Sequence, residues 1–141
     1  MIVRFELPEE MKSCPFLERV LAGDRFAAWT GIQIEEVRHD YAKVSLVIEQ
    51  KHLNGVDIAQ GGVLFTLADY AFALASNTGE KVAVGIEASI SFMKPTPEGG
   101  KLFAVAKKLF SSKSLASFLV TVTNQDDQLV AQFLARAFLR S

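Results

Sequence analysis

The sequence has few of the residues that build metal centres and disulfide frameworks. Its 141 residues include one cysteine, Cys14, and two histidines, His39 and His52. A single cysteine excludes a disulfide scaffold, and these three side chains lack the spacing of the common zinc motifs. Glycine-rich phosphate loops and the GxSxG nucleophile motif are also missing, which argues against the nucleotide-binding and α/β-hydrolase classes. We therefore predict no metal site.

An excess of charge of either sign is missing as well. Lysine and arginine total 15 against 16 aspartates and glutamates, a balance that excludes a polybasic nucleic-acid binder. Half of the residues are hydrophobic, which excludes intrinsic disorder. The longest apolar run, residues 61–79, is too short to span a membrane and contains Asp69. Residues 1–8 lack the apolar core of a signal peptide.

These absences predict a soluble, cytoplasmic protein with a single domain over residues 1–141. Residues 1–28 are interpreted as a peripheral segment with a short helix at residues 15–21, where Pro15 suits a first helical turn. The surplus of apolar residues in so small a domain further predicts that another subunit covers part of the surface.

Hydrophobic periodicity predicts an α+β fold. Alternating residues predict two strands, around Ile34 and Leu46, and residues 61–77 are rich in leucine, alanine and phenylalanine, as in a buried helix. Four longer strands follow and are separated by turn-forming residues, which predicts an antiparallel meander that wraps the helix in a curved sheet of five to six strands. Their predicted ranges are 82–92, 102–110, 115–124 and 129–139.

Asp69 is the only charged residue of the predicted central helix. A carboxylate costs free energy in such surroundings unless it is paired, hydrated or neutralised. Thr66, Ser76 and Asn77 fall near the same helix face. Two interpretations follow: this face is the wetter side of an amphipathic helix, or it faces a cleft in which Asp69 acts as a base or nucleophile.

Two glycines, Gly61 and Gly62, open this helix directly after a polar loop. The first amides of a helix are free of intrahelical bonds and lie at the positive end of its dipole. Glycine lets a ligand approach that backbone closely, and a carbonyl oxygen that gains charge during acyl transfer needs such donors. The alternative is that the glycines merely permit a tight turn against the sheet.

Residues 52–69, HLNGVDIAQGGVLFTLAD, resemble the signature of hotdog-fold acyl-CoA thioesterases of the phenylacetic-acid-degradation (PaaI) type. That signature has Asn-Gly, then His-Gly-Gly, then a helix with Leu-Ala-Asp. Residues 92–95, FMKP, are similar to the F-x-[KR]-P strand end of the same family. The similarity extends over residues 29–139 and implies a hotdog fold, in which an antiparallel sheet wraps a long helix.

The resemblance implies a homodimer with a continuous sheet, commonly paired again into a tetramer, and an active site at the dimer interface. Asp69 of one subunit would face Asn54 and the Gly61 backbone of the other. Asp69 would activate water or attack the thioester, the Gly61 N–H would polarise the carbonyl, and Asn54 would position the water or the carbonyl. The implied substrate is an acyl- or aryl-acyl-CoA, with no cofactor, nucleic acid or membrane partner.

The chain departs from the family at two positions. Gln60 replaces the histidine before the two glycines, and glutamine donates a hydrogen bond but exchanges no proton near neutral pH. Gly85 stands where some relatives carry serine or threonine, and simple alternation places Ser89 and Ser91 on its strand face as replacements. Further expected substrate contacts are Gly62, Phe65, Ser89, Lys94 and Lys113, with Tyr70, Phe72 and Phe92 as possible pocket walls and Lys107, Lys108 and Arg136 as further cations.

Two other functions stay open at this stage. Gln60 in place of histidine is also compatible with a non-catalytic protein that binds acyl-CoA. A hotdog dehydratase or hydratase needs a catalytic histidine, for which His52 in the loop is the remaining candidate.

Overall fold

A single antiparallel sheet curves around one long helix in the computed structural model, which describes residues 5–141. The sheet has six strands, so the predicted α+β class is confirmed. The helix predicted over residues 61–77 and the four long strands after it are present, with ends that differ by at most one residue. In chain order the elements are α1 (Leu17–Gly23), α2 (Arg25–Thr30), β1 (Gln33–Arg38), β2 (Tyr41–Val47), α3 (Gly61–Ser76), β3 (Val82–Phe92), β4 (Lys101–Ser111), β5 (Leu115–Asn124) and β6 (Leu129–Arg140), with single 3₁₀ turns at Glu9–Met11 and Gln50–His52.

The strand order is β1-β2-β4-β5-β6-β3, so the predicted four-strand meander is wrong for β3. The meander comprises β4 to β6, whereas β3 pairs with β6 and forms an edge of the sheet. The connection from β3 to β4 contains two prolines, which cannot donate to a strand ladder. It is fastened to the end of β2 instead, since Gly99 N–H donates to the Ile48 carbonyl and Ile48 N–H donates to that of Gly100. These two hydrogen bonds place the start of β4 beside β2.

Helix α3 is buried on all but one side. Leucines and alanines such as Leu67, Ala71 and Leu74 are inaccessible to solvent, and Phe72 packs edge-on against Phe118 of β5. An open stripe runs along the remaining side and includes Gly62, Phe65 and Asp69. The expectation of a helix that is apolar and covered nearly all round is therefore correct except along this stripe.

The N-terminal segment contains one more helix than the periodicity predicts. The first helix begins at Leu17 rather than at Pro15, and α2 follows at once. With six residues α2 is too short for a periodic signal, but both of its ends carry the usual residues: the Asp24 side chain accepts from Ala27 N–H at 3.0 Å, and Gly31 ends the helix with φ 96°. Both helices pack on α3, and none of the helices in residues 5–141 is long and apolar enough to cross a membrane.

Candidate active site

The first turn of α3 presents two amides that are free to bind a ligand. Val63 N–H donates to the Gln60 carbonyl at 2.9 Å, whereas the N–H groups of Gly61 and Gly62 have no acceptor among residues 5–141. Space at Gly61 is tight, because a methyl group there would lie 2.9 Å from Cζ of Phe92. Glycine at this position therefore keeps both the backbone and the neighbouring ring in place.

The loop before α3 brings Asn54 next to this turn. Asn54 Oδ1 accepts from Val56 N–H at 3.0 Å and Ile58 N–H at 3.3 Å, which closes the loop on itself. The side-chain NH₂ group of Asn54 makes no hydrogen bond to any residue from 5 to 141, so it is left to donate. Asn54, Gly61 and Lys94 line one groove of about 510 Å³, here called the β3-side groove, together with Phe92 and Thr96.

A second groove of about 400 Å³ lies on the other side of the same turn. Gln60, Gly62 and Thr66 form its α3 side, and two aromatic residues of α2 form the opposite wall. We call it the α2-side groove. The Gln60 side chain is exposed, makes no hydrogen bond within the described chain, and lies against Gly62, where a methyl group would come 2.6 Å from its Oε1. Gln60 is therefore free to donate to a ligand at the helix start.

His52 holds the loop in place and has no free ring nitrogen. The ring is 2% exposed, its Nδ1 accepts from Glu49 N–H at 2.9 Å, and its Nε2 lies 2.8 Å from the Thr30 carbonyl. Because Nδ1 accepts, the ring hydrogen is on Nε2 and donates to Thr30. Both nitrogens are thus committed to backbone groups, which argues against His52 as the acid or base of a dehydratase.

Asp69 lies on the open stripe of α3, eight residues beyond Gly61. At 1.5 Å per residue, this separates the backbone positions of the two residues by about 12 Å along the helix axis. Burial by the surrounding chain raises the pKa of Asp69, and the negative charge of Asp24 raises it further. Asp69 is exposed at the surface of the single chain, and its raised pKa increases its affinity for protons, as a general base requires.

The other polar residues on this side of the helix have structural roles. Thr66 Oγ1 donates to the Gly62 carbonyl at 2.8 Å. Asn77 is buried, and its carboxamide donates to the Ala73 carbonyl at 2.9 Å and accepts from Ala83 N–H at 3.0 Å, which joins the end of α3 to β3. The predicted polar face is thus partly the ordinary wet side of the helix, and Asp69 is the member without a structural partner among residues 5–141.

An Asp24→Asn variant tests the electrostatic link to Asp69. We expect the acidic limb of the pH–rate profile to move to lower pH, because removal of the Asp24 charge lowers the pKa of Asp69. Asparagine caps a helix as well as aspartate does, so the α2 cap and the melting temperature should change little. The measurement is kcat/KM between pH 3 and 8 for both proteins, and an unshifted limb would show that Asp69 does not set it.

Ser89 and Ser91 lie on the opposite face of β3 from the one that alternation predicts. A bulge between Gly85 and Glu87 shifts the register by one residue. Gly85 consequently faces Phe72 of α3, whereas Ser89 pairs with exposed Leu134 on the outer face of the sheet. The expectation that these serines replace a hydroxyl at Gly85 is therefore wrong, and Ser89 does not join Gly61 or Asp69 within one chain.

The remaining predicted contacts are distributed over the molecule. Lys113 lies in the β4–β5 turn, where its carbonyl accepts from the Lys81 ammonium, at the end of α3 opposite Gly61. Phe65 is partly exposed beside Asp69 and packs edge-on against Phe133.

Tyr70 and Phe72 are core residues rather than pocket walls. Burial raises the pKa of Tyr70, and its hydroxyl donates to the Leu21 carbonyl at 2.9 Å. Lys108 pairs with Asp40 and Arg136 with Glu87.

Three residues beside the helix start were missed by the sequence reasoning. Phe26 and Trp29 line the α2-side groove, and Thr96 lines the β3-side groove. For the two aromatic residues the caps of α2 were an available signal. For Thr96 there was none, because its position depends on the path of the β3–β4 connection.

Comparison with known proteins identifies the family. A profile described as the thioesterase superfamily matches residues 58–131. A putative esterase of Archaeoglobus fulgidus is 40% identical over 124 residues, which cover 85% of this chain and 80% of the relative. The acyl-coenzyme A thioesterase PaaI of Escherichia coli is 32% identical over 114 residues, 81% of each chain.

Solved structures agree with this assignment. The structure of the E. coli PaaI protein has a TM-score of 0.88, with 28% identity, and covers 96% of this chain and 97% of that one. The structure of smu.793 from Streptococcus mutans bound to acetyl CoA has a TM-score of 0.74, with 29% identity, over 79% and 92% of the chains. The chain belongs to the thioesterase superfamily. It is a thioester hydrolase of the PaaI type, and the predicted hotdog fold is confirmed.

Proposed function

We propose that the chain is a cytoplasmic acyl-CoA thioesterase that hydrolyses the thioester of an acyl- or aryl-acyl-CoA to the free acid and CoA. The observation that carries the proposal is the pair of amides at the start of α3 and the nearby NH₂ group of Asn54, none of which has an acceptor among residues 5–141. Donors that converge in this way suit the oxyanion of acyl transfer. The relative named an acyl-coenzyme A thioesterase and the neighbour bound to acetyl CoA support CoA as the carrier.

The proposed site uses two copies of the chain, as a homodimer or a dimer of dimers. One thioester does not contact Gly61 N–H and Asp69 of the same chain in this proposal, because the two residues are separated by about 12 Å along the axis of α3. The open stripe and β3 provide the surface for a partner. Within the described residues β3 is an edge strand with no neighbouring strand on its outer side, and Val84 and Ile86 on it are half exposed. In the proposed dimer, Asp69 of each subunit forms a site together with the Gly61 N–H of the other.

The proposed reaction begins with the thioester carbonyl oxygen accepting from Gly61 N–H. Asp69 of the partner subunit removes a proton from water while the water oxygen attacks the carbonyl carbon, and Asn54 orients the water or the carbonyl. Collapse of the tetrahedral intermediate breaks the carbon–sulfur bond, and the proton held by Asp69 passes to the departing thiolate. In the alternative route the Asp69 carboxylate attacks first, and water then hydrolyses the resulting anhydride.

The proposed role of Gln60 is to donate a hydrogen bond at the helix start without exchanging a proton. We expect Gln60→Ala to lower kcat/KM about tenfold, the equivalent of one hydrogen bond of about 1.4 kcal/mol. Gln60→His should restore the activity, because neutral histidine also donates. Steady-state kinetics of the three proteins make the comparison. Equal rates in all of them would remove Gln60 from the site.

A thiol-release assay over a panel of short, long and aryl acyl-CoA thioesters tests the proposed function. We expect release of free CoA from at least one of them at a rate that depends on enzyme concentration. Calorimetry with the same thioesters separates the alternative of a non-catalytic binding protein, which would bind tightly and release no thiol. No release from any member of the panel would overturn the proposal.

A further inference from the structure

His52 joins three segments of the chain next to the start of α3. Its ring is 2% exposed. Nε2 donates to the Thr30 carbonyl at the end of α2, at 2.8 Å, and Nδ1 accepts from the N–H of Glu49, shortly after β2, at 2.9 Å. The His52 carbonyl accepts from the N–H of Gln60, the residue before α3, at 2.8 Å. One buried residue therefore ties the end of α2 and the end of β2 to the start of α3.

Residues 53–59 form a loop whose two ends pair with each other, Leu53 with Ala59. The two ends are fastened to different parts of the chain. The ring of His52 ties the first end to α2 and to the segment after β2, whereas Ala59 N–H donates to the Thr96 carbonyl of the β3–β4 connection at 2.8 Å. Because the loop is closed, it moves as a unit. Loss of the ring contacts therefore turns the loop together with the residue that follows it.

The direction of the Gly61 N–H depends on the peptide group that joins it to Gln60. In a planar trans peptide the N–H points opposite to the carbonyl of the preceding residue. The Gln60 carbonyl accepts from Val63 N–H inside the first turn of α3, at 2.9 Å, while the Gln60 N–H is held by the His52 carbonyl. Gln60 is thus fixed on both sides, and the Gly61 N–H points out of the helix start in a set direction.

We propose that His52 is a positioning residue for the hydrolysis, one that sets the direction of the Gly61 N–H through the hydrogen bond to Gln60. The inference rests on the proposed function, in which this N–H binds the carbonyl oxygen of the thioester. The ring transfers no proton, since both of its nitrogens are committed to backbone groups. Its contribution is geometric, because a displacement of about 1 Å in a site can lower the rate about 10²-fold.

Two substitutions each remove one half of the ring contact. His52→Asn keeps an acceptor for the Glu49 N–H at the place of Nδ1, and His52→Gln keeps a donor for the Thr30 carbonyl at the place of Nε2. We expect each to lower kcat about tenfold and to leave KM within about twofold, because a misdirected donor is missed chiefly in the transition state. Steady-state thiol release with the thioester that the wild type hydrolyses fastest measures both parameters. Wild-type kcat in both variants would overturn the inference.

Asn77→Ala is the matched control for these variants. Asn77 is 4% exposed, and its carboxamide joins the other end of α3 to β3. Its loss should lower the melting temperature, as loss of the His52 contacts does, but it should leave kcat within about twofold. An equal fall of kcat in Asn77→Ala would show that any loss of buried hydrogen bonds slows the enzyme, and it would overturn the positioning role.

A double-mutant cycle with Gly61→Pro separates positioning from a general loss of structure. Gly61→Pro removes the N–H, so His52→Asn should lower kcat less than about twofold in that background. The same tenfold loss in both backgrounds would overturn the inference and leave the proposed function intact. Wild-type kcat in Gly61→Pro alone would instead remove the oxyanion donor from the proposed function, and the role of His52 would fall with it.

Amide spectroscopy tests the positioning without turnover. The sequence has nine glycines, so protein labelled with ¹⁵N-glycine gives one backbone signal for each of them. The Gly61 signal is assigned by its loss in Gly61→Ala. We expect it to shift in His52→Asn and in His52→Gln and to stay in place in Asn77→Ala. An unshifted Gly61 signal in both His52 variants would overturn the inference, whatever the rates are.

Discussion

Replacement of Asp69 by asparagine should reduce kcat by a factor of about 10² to 10⁴, the contribution of a positioned general base. Asparagine preserves the size of the side chain but neither accepts a proton at neutral pH nor attacks a thioester as a carboxylate does. The reduction should appear in kcat for every thioester that the wild type hydrolyses, because the acyl group does not alter the proton transfer. Single-turnover and steady-state thiol release measure it.

The same variant should be as stable as the wild type at pH 7, or more stable. The pKa of Asp69 is raised in the folded state, so the folded chain holds this proton more tightly than the unfolded chain. Stability therefore falls as the pH rises from the ordinary value of 3.8 through the raised pKa, and asparagine removes that loss. Thermal melts at pH 3 and pH 7 check the sign. Wild-type rates on all substrates in a well-folded Asp69→Asn protein would exclude Asp69 from the chemistry.

The second large effect should follow from removing the Gly61 N–H while keeping the helix. Gly61→Pro deletes this hydrogen, and proline is favoured at the first position of a helix. Gln60 before it has φ −65° and ψ 142°, the extended conformation that a residue preceding proline adopts. We expect kcat to fall about 10² to 10³-fold, as for the loss of one oxyanion donor.

Gly61→Ala is the matched control for that experiment. It introduces the same contact with Phe92, since a Cβ at Gly61 lies 2.9 Å from the ring, but it keeps the N–H. Steric displacement of Phe92 should therefore affect both variants, and the excess loss in Gly61→Pro measures the donor itself. Adding Phe92→Leu to each variant should relieve the contact between the new side chain and the Phe92 ring. It should not restore kcat in the proline variant, which still lacks the N–H. If alanine and proline cost the same in both backgrounds, the Gly61 amide does not bind the oxyanion.

Most of the architecture could be predicted because it depends on local periodicity. The stretch of leucine, alanine and phenylalanine from residue 61 indicates a helix, and the strand ranges follow from alternation and turn residues. Simple alternation failed at Gly85, where a bulge moves Ser89 to the outer face of the sheet. The prediction of a four-strand meander was wrong for β3 because the connection after it contains two prolines and is hydrogen-bonded to Ile48 at the end of β2. Neither the bulge nor the hydrogen bonds at Ile48 can be recognised from the hydrophobic periodicity of the sequence.

The sequence by itself determined the kind of chemistry, because Asp69 and the Gly61–Gly62 helix start are distinctive in so apolar a stretch. Tertiary structure decided how these groups relate to one another. It placed Asp69 on an open stripe, about 12 Å along the helix axis from Gly61 of its own chain, and committed both nitrogens of His52 to backbone groups. It also placed two grooves on either side of one helical turn. The physical reason is that residue type and period act over a few positions, whereas distances between side chains depend on how separate segments pack.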